Sequence, residues 1–410
     1  MRILHLSSEH PPQQVFGLGR YVCDLAREQV RQGHAVHVLT NSIGGTDQDM
    51  ADHGVHLHRM DYPPPPKPPG AVAPAMAFNL HLLQRAHVLG RAGLGDPEVV
   101  VSHDWLTAVA AERLARRLGV PHVWTVHDTV LGKTGGRIES SDDRITSGIE
   151  RWASAHADLI LVNSAEIGAE IRTYGGDPAR MRLLHCGVDA DAFTSRQSRT
   201  RLDAFRQVFA TPDDVLVTFV GRLDLEKGID TLVNAFAQVQ RRGLKAHLAI
   251  AGRGMLEATI RKHIDDLGLS ATVSLHGYLR GEVLTAFYAV SDIHVCPSNY
   301  EPFGLVAVEA MAAGAPVVAS DTGGLKEIIS HPGVGRLVPP RNASALSEVL
   351  AELIADVSMR KKLGAAGAAH VRATFAWKII AARACELYNE ALQAPTSTPM
   401  PDAEALGVPS

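Results

Sequence analysis

Cysteine is scarce in this chain, and runs long enough to cross a membrane are missing. The four cysteines, Cys23, Cys186, Cys296 and Cys385, lie far apart and form no CxxC pair. That gives no zinc signature and fits reduced thiols in a cytoplasmic protein. No run of about 18 apolar residues occurs, so no membrane-spanning helix is expected. The opening segment Met1–Ser8 is too short in apolar length for a secretory signal. Although there are 20 histidines, none falls in an HExxH pattern, so no catalytic metal is expected. GxSxG is also missing, which removes the hydrolase elbow. The net charge is −4, without a broad basic field, so neither nucleic acid nor an anionic membrane is expected as the main partner. The one cluster where peripheral membrane contact would be sought is Arg113, Arg116 and Arg117, which reads more readily as a solvated helix face.

What is there is an ordinary soluble balance, 46% hydrophobic and 20% charged, in 410 residues, enough for two or three domains. Short apolar runs alternate with amphipathic stretches from end to end. Strands are expected at Ile3–Leu6, Ala35–Leu39, Val55–His58, Val99–Ser102, His122–Val126 and Leu159–Val162. A second series is expected at Val215–Val220, Ala246–Ala251, Thr272–Leu275, Ile293–Cys296, Pro316–Ala319 and Gly335–Val338. Helical patterns cover Tyr21–Gln32, Thr107–Leu118, Ile229–Arg242, Met255–Leu267 and Ala343–Ala355. The alternation predicts an α/β protein with parallel sheets. The series restarts after the polar segment Ser195–Arg206, so two doubly wound, Rossmann-like domains are predicted, joined near residues 187–195, with ligands at the carboxyl edges of their strands. Two such edges facing each other would form an interdomain cleft. The proline-rich segment 63–69 reads as a stiff surface loop or a polyproline ligand, and the tail 394–410 as disordered.

Four constellations carry chemistry. Glu301 stands in the turn Glu301-Pro302-Phe303-Gly304, and Glu309 lies eight residues on, inside the apolar stretch Leu305–Ala312. An acid among apolar residues needs a hydrogen-bonding ligand or a cation. The hydroxyls of a ribose or hexose would serve. Arg222 and Lys227 flank a turn at the end of the expected strand Val215–Val220 and beside a helix start; they fit a diphosphate, or are solvated surface charges. Gly17 and Gly19 follow the first strand and would let backbone approach a phosphate or sugar, or simply make a tight turn. His103, Asp104 and His127 end two strands at one edge and suggest a polar pocket.

Together these residues resemble the retaining, nucleotide-sugar-dependent glycosyltransferases of family GT4, with the GT-B fold, a group that includes glycogen-synthase-like enzymes. The resemblance rests on Gly221-Arg222-Leu223…Glu226-Lys227-Gly228, on Glu301…Glu309, and on Ala313-Gly314-Ala315-Pro316-Val317-Val318, and spans about residues 1–392. It implies an N-terminal acceptor domain over 1–187, a donor domain over 188–374, and a last helix, about 375–392, packing back on the first domain. It implies a hexosyl transfer from a nucleoside-diphosphate sugar, UDP favoured, to an acceptor hydroxyl. Arg222 and Lys227 would hold the diphosphate, Glu309 the ribose and Glu301 the transferred sugar. Backbone N–H groups of Phe303, Gly304 and Leu305 would face the sugar or its distal phosphate. Gly17 and Gly19 would lie near the phosphates, the backbone near Tyr278 at the base, and His127 near the reacting sugar. His103 and Asp104 are acceptor-side candidates. No metal or other cofactor is implied. Departures from the family on the acceptor side, at Thr125–Lys133 and the proline-rich loop, leave open a small acceptor such as an inositol, a lipid or an aminocyclitol. The alternatives are a polysaccharide synthase, a GT-B epimerase or phosphorylase, and a non-catalytic sugar-nucleotide-binding protein.

Overall fold

In the computed structural model, each series of apolar runs becomes a largely parallel sheet whose first strand lies near its centre. The structure describes residues 1–12, 17–42, 46–62, 72–193 and 198–394; the proline-rich segment and the tail after residue 394 lie outside them. The chain divides into two compact units. One comprises Met1–Gly187 and the chain from Trp377 onward, the other Val188–Ala376.

The first unit holds β1 (Arg2–Leu6), β2 (Ala35–Asn41), β3 (Gln48–Asp52), β4 (Val55–Met60), β5 (Val99–His103), β6 (His122–Val126), β7 (Leu159–Val162) and β8 (Met181–Leu183). Their order across the sheet is β3-β4-β2-β1-β5-β6-β7-β8. Only β3 runs antiparallel to its neighbour. The second unit holds β9 (Val215–Val220), β10 (Ala246–Ala251), β11 (Val273–Leu275), β12 (Ile293–Cys296), β13 (Val317–Ser320) and β14 (Arg336–Val338), in the order β11-β10-β9-β12-β13-β14, all parallel.

Central parallel strands are covered on both faces, so they read as continuous apolar runs. Strands β1, β5, β6 and β9 accordingly carry almost wholly buried residues. The core of the second unit is built from Val217, Phe219, Leu232, Phe236, Leu248 and Val295, all buried. In the first unit Leu4, Leu6, Leu39, Phe78, Val100 and Leu114 play that part. The last helix, Trp377–Gln393, joins the first unit. Its Lys378 carbonyl accepts from Gln32 Nε2 at 2.9 Å, and its Glu390 pairs with Arg182 at 2.7 Å.

In each sheet the chain turns outward in both directions from two adjacent central strands: β1 and β5 in the first unit, β9 and β12 in the second. The crevice beyond the carboxyl ends of such a pair is where doubly wound sheets bind ligands. Every charged or histidine side chain singled out above, apart from the surface arginine cluster and Glu309, lies on a segment leaving β5, β6, β9 or β12.

Candidate functional site

At the edge of the second unit, β9 leads into Gly221–Gly228 and β12 into Pro297–Gly304. The two loops are tied by backbone. The Glu226 carbonyl accepts from Asn299 N at 2.7 Å, and Asn299 Nδ2 donates to the Leu225 carbonyl at 2.8 Å. Gly228 closes the first loop with φ 62°, and a Cβ there would come within 2.0 Å of the Pro297 carbonyl oxygen, so no larger residue allows this approach. A third loop clamps the acid turn from the other side: Gly324 N donates to the Glu301 carbonyl at 3.1 Å. Gly323, at φ 51°, would place a Cβ 1.8 Å from that same oxygen.

This scaffold brings Lys227 to Glu301. Lys227 Nζ lies 2.9 Å from Glu301 Oε2, and Ser298 Oγ donates to the same oxygen at 3.0 Å. Glu301 is buried, 7% exposed, so the pairing satisfies a charge that would otherwise be costly. Arg222 has carboxylate partners of its own. Its guanidinium meets Asp224 Oδ2 at 2.6 Å and also pairs with Glu226. Both cations are therefore neutralised by acids rather than standing free, which neither sequence position announced.

Glu309 lies in the helix Leu305–Ala312. It is half-buried, and the buried Tyr288 donates its hydroxyl to Glu309 Oε2 at 3.0 Å. A tyrosine thus answers part of the need expected to fall on a ligand. The helix starts after Gly304, which has no side chain to cap its first N–H groups. Phe303 and Gly304 are buried and Leu305 is half-buried in that start. Tyr278 follows β11 and is 66% exposed.

The first unit presents a different arrangement. His103 ends β5 and His127 follows β6. His103 Nδ1 and His127 Nε2 are 3.1 Å apart, and His103 Nε2 lies 3.1 Å from Nδ1 of His5 on β1. Asp104 takes a left-handed φ of 56°, tolerated by aspartate better than by most residues, and its Oδ1 accepts the His127 backbone N–H at 2.7 Å. Burial holds His5 and His127 down to about pKa 4 and His103 well below its ordinary value. Burial, helped by the neighbouring Asp128 charge, pushes the Asp104 carboxyl well up. The rings are thus neutral at pH 7. His5 was not singled out from the sequence; it sits inside an apolar strand, and its partner is 98 residues away.

Gly17 and Gly19 are the first turn of the helix Gly17–Arg31, not a loop before it. The helix begins four residues earlier than its apolar pattern suggests, since a first turn has unpaired N–H groups in any case and glycine costs little there. Similarly Arg206 closes a helix, Arg199–Arg206, in the segment expected only to be polar. The cluster Arg113, Arg116 and Arg117 is paired: Arg113 lies 3.7 Å from Glu112, Arg116 also meets Glu112, and Arg117 lies 3.0 Å from His87. Among the described residues no helix is long and apolar enough to cross a membrane, and no group of three or more His, Cys, Asp or Glu is placed to hold a metal.

Comparison with known proteins places these edges in context. A profile described as glycosyl transferases group 1 matches residues 201–370, and one described as glycosyltransferase family 4 matches residues 15–192. The chain is 31% identical over 407 residues to a glycogen synthase of Mycobacterium tuberculosis, covering 95% of this chain and 94% of that one. It is 30% identical over 393 residues to a D-inositol 3-phosphate glycosyltransferase of Xylanimonas cellulosilytica, covering 92% of each. Its structure is similar to that of a sucrose-phosphate synthase from Thermosynechococcus elongatus, with a TM-score of 0.80 and 26% identity over 96% of this chain and 100% of the other.

Proposed function

The chain belongs to the group 1, family 4 glycosyltransferases of GT-B fold, and from that premise we propose that it moves a hexosyl unit, with retention, from a UDP-sugar to a hydroxyl of a small acceptor such as a cyclitol or aminocyclitol. The observation that carries the donor half is the cation pair Arg222 and Lys227 held beside Glu301 at the β9/β12 edge. Arg222 and Lys227 are assigned to the diphosphate, Glu301 to the transferred sugar and Glu309 to the ribose. The backbone N–H groups of Phe303, Gly304 and Leu305, at the start of Leu305–Ala312, are assigned to the sugar or its distal phosphate. Tyr278 is assigned to the base through its backbone, and Gly17 and Gly19 to the phosphates. His127, with His103 and Asp104 beside it, is assigned to the reacting sugar and the acceptor.

The chemistry follows from charge. The acceptor oxygen bonds to the anomeric carbon from the face the leaving group vacates, the bond from that carbon to the diphosphate oxygen breaks, and the acceptor's proton passes to the departing phosphate. Negative charge grows on that phosphate in the transition state, where Arg222 and Lys227 stabilise it more than in the ground state. One oriented donor of this kind contributes about 3–4 kcal/mol. No step requires a metal or a covalent glutamate adduct.

Two relatives that each match more than nine-tenths of the chain differ in activity, one a glycogen synthase and the other a D-inositol 3-phosphate glycosyltransferase. The small acceptor is favoured by the departures in Thr125–Lys133, the segment that holds His127. A thermal-shift screen of UDP-, GDP-, ADP- and dTDP-sugars tests the donor: ligand at about 100 times its Kd should add roughly 2.7 kcal/mol of stability. Stabilisation by UDP-sugars is the expected outcome; a response confined to another base would replace UDP, and none at all would overturn the donor assignment. Transfer assays with the stabilising donor and inositols or aminocyclitols, with glycogen as control, then decide the acceptor.

A further inference from the structure

Gln29, His5, His103 and His127 form an unbroken line of hydrogen-bonding groups within the first unit. Gln29 Oε1 lies 2.9 Å from His5 Nε2, His5 Nδ1 lies 3.1 Å from His103 Nε2, and His103 Nδ1 lies 3.1 Å from His127 Nε2. The first three side chains are fully buried, and only His127 is partly open to solvent. Consecutive imidazoles stack, with centroids 5.3 Å and 5.4 Å apart and planes within 27° of each other. Tyr21 stands edge-on to His103 and His127 and holds the line from one side. Tyr388 does the same for His5.

A neutral imidazole has one donor and one acceptor nitrogen. A line of neutral imidazoles in which every contact is a hydrogen bond therefore has only two proton arrangements, all pointing one way or all the other. An amide oxygen only accepts, so His5 Nε2 must donate to Gln29. His5 Nδ1 then accepts from His103 Nε2, and His103 Nδ1 accepts from His127 Nε2. The remaining nitrogen, His127 Nδ1, carries a lone pair and bonds to nothing else among the described residues. On the far side of the amide, Gln29 Nε2 has no hydrogen-bond partner among the described residues. Turning the amide over would reverse every bond in the line and leave His127 Nδ1 protonated.

We propose that Gln29 is a positioning residue that sets which nitrogen of His127 is protonated, acting through His5 and His103, so that His127 offers Nδ1 as an acceptor to a substrate hydroxyl. The last clause rests on the assignment of His127 to the sugar or acceptor; the proton arrangement does not. Burial supports the neutral line, since it disfavours the imidazolium form of all three rings at pH 7. Charged groups near His127 are Asp104, which accepts its backbone N–H, and Asp128. Asn163 Nδ2 donates to its backbone carbonyl at 2.8 Å. None of these engages a ring nitrogen, so none rivals Gln29 in setting the tautomer.

The test is long-range proton–nitrogen NMR on the full chain labelled with ¹⁵N-histidine, without ligand, at pH 7.5, with assignments from single histidine variants. All three rings should show a protonated Nε2 and an unprotonated Nδ1. A protonated Nδ1 on His127, or tautomers averaging in fast exchange, overturns the proposal. In Gln29→Leu, with folding checked by urea denaturation, the His127 signals should shift toward a mixture of tautomers; an unchanged His127 pattern overturns it too. His5→Phe cuts the same line and carries the same expectation should Gln29→Leu fail to fold. Adding UDP-glucose and candidate acceptors separates the two ideas: a His127 Nδ1 signal that ignores them ends the substrate-facing assignment while leaving the proton arrangement standing.

Discussion

Lys227 Nζ lies 2.9 Å from Glu301 Oε2, a contact between residues 74 positions apart that joins the loops leaving β9 and β12. Both side chains are largely shielded, 18% and 10% exposed, so each charge depends on the other. Arg222 is held by Asp224 and Glu226 in the same way, though nearer solvent. A nucleoside diphosphate entering this edge would exchange these partners. On the proposed assignment its phosphates would take over the cations, and Glu301 would be released toward the sugar hydroxyls. Neither Arg222 nor Lys227 therefore stands unpaired in the ligand-free site.

Lys227→Ala should lower kcat/KM by at least about tenfold, the scale of one charged contact to the transition state. It should also reduce stability by up to about 3 kcal/mol, because Glu301 is left buried without its partner. Steady-state kinetics with the identified donor, alongside urea denaturation, separates the two effects. An unchanged kcat/KM would remove Lys227 from the diphosphate.

Glu301→Ala should impair transfer while leaving affinity for free UDP intact or slightly raised. The rise follows from the ion pair: without Glu301, Lys227 no longer has to leave a carboxylate to meet phosphate. Isothermal calorimetry with UDP checks this. A marked loss of UDP affinity would move Glu301 from the sugar to the nucleotide.

Much of the architecture was legible because buried parallel strands write themselves as apolar runs. His122–Val126 and Ala246–Ala251 were read to the residue. The edge strands of the first sheet, β3 and β8, were not. In β3, Gln-Asp-Met-Ala-Asp is exposed along nearly its whole length and carries no apolar stripe, while β8 has three residues. The site was legible in part for the same physical reason. A glycine turn at a strand end, or an acid beside an apolar helix, leaves a local mark. Contacts across the sheet leave none. Nothing near Lys227 in sequence announces Glu301, and nothing in Ile3–Leu6 announces that His5 meets Gln29 and His103.

If Glu309 holds the ribose, its loss should be felt only by ligands that carry the hydroxyls. Glu309→Gln should weaken UDP by about tenfold, or about 1.4 kcal/mol, and leave 2′,3′-dideoxy-UDP nearly unaffected. Tyr288→Phe should produce a smaller loss of the same selectivity, since Tyr288 only orients the carboxylate from 3.0 Å. Calorimetry with both nucleotides against both variants is sufficient; equal losses for the two ligands would detach Glu309 from the ribose.

Glu150 offers a test of the charge balance around His127 that needs no substrate. Its carboxyl oxygens accept the Val130 N–H at 3.0 and 3.3 Å, just beyond His127, and burial pushes its pKa up to about 8 from 4.5. The folded chain therefore holds this proton over a range in which the unfolded chain has released it. Its contribution to stability is full below pH 4.5 and is lost as pH rises through about 8. Glu150→Gln keeps an oxygen for Val130 and has no proton to lose. The stability of the variant relative to the wild type should therefore rise with pH, by roughly 1–3 kcal/mol between pH 5 and pH 7, given at most about 1.4 kcal/mol per pH unit. The titrations of His5, His103 and His127 work in the other direction, their depressed values weakening the fold as pH falls from about 6.5 toward 4, but they are common to both proteins and cancel in the difference. Urea denaturation of the pair at half-unit intervals from pH 5 to pH 8.5 measures that difference directly. Parallel curves would mean that Glu150 is ionised in the folded protein, and that a negative charge stands beside Asp128 where burial favours a neutral acid.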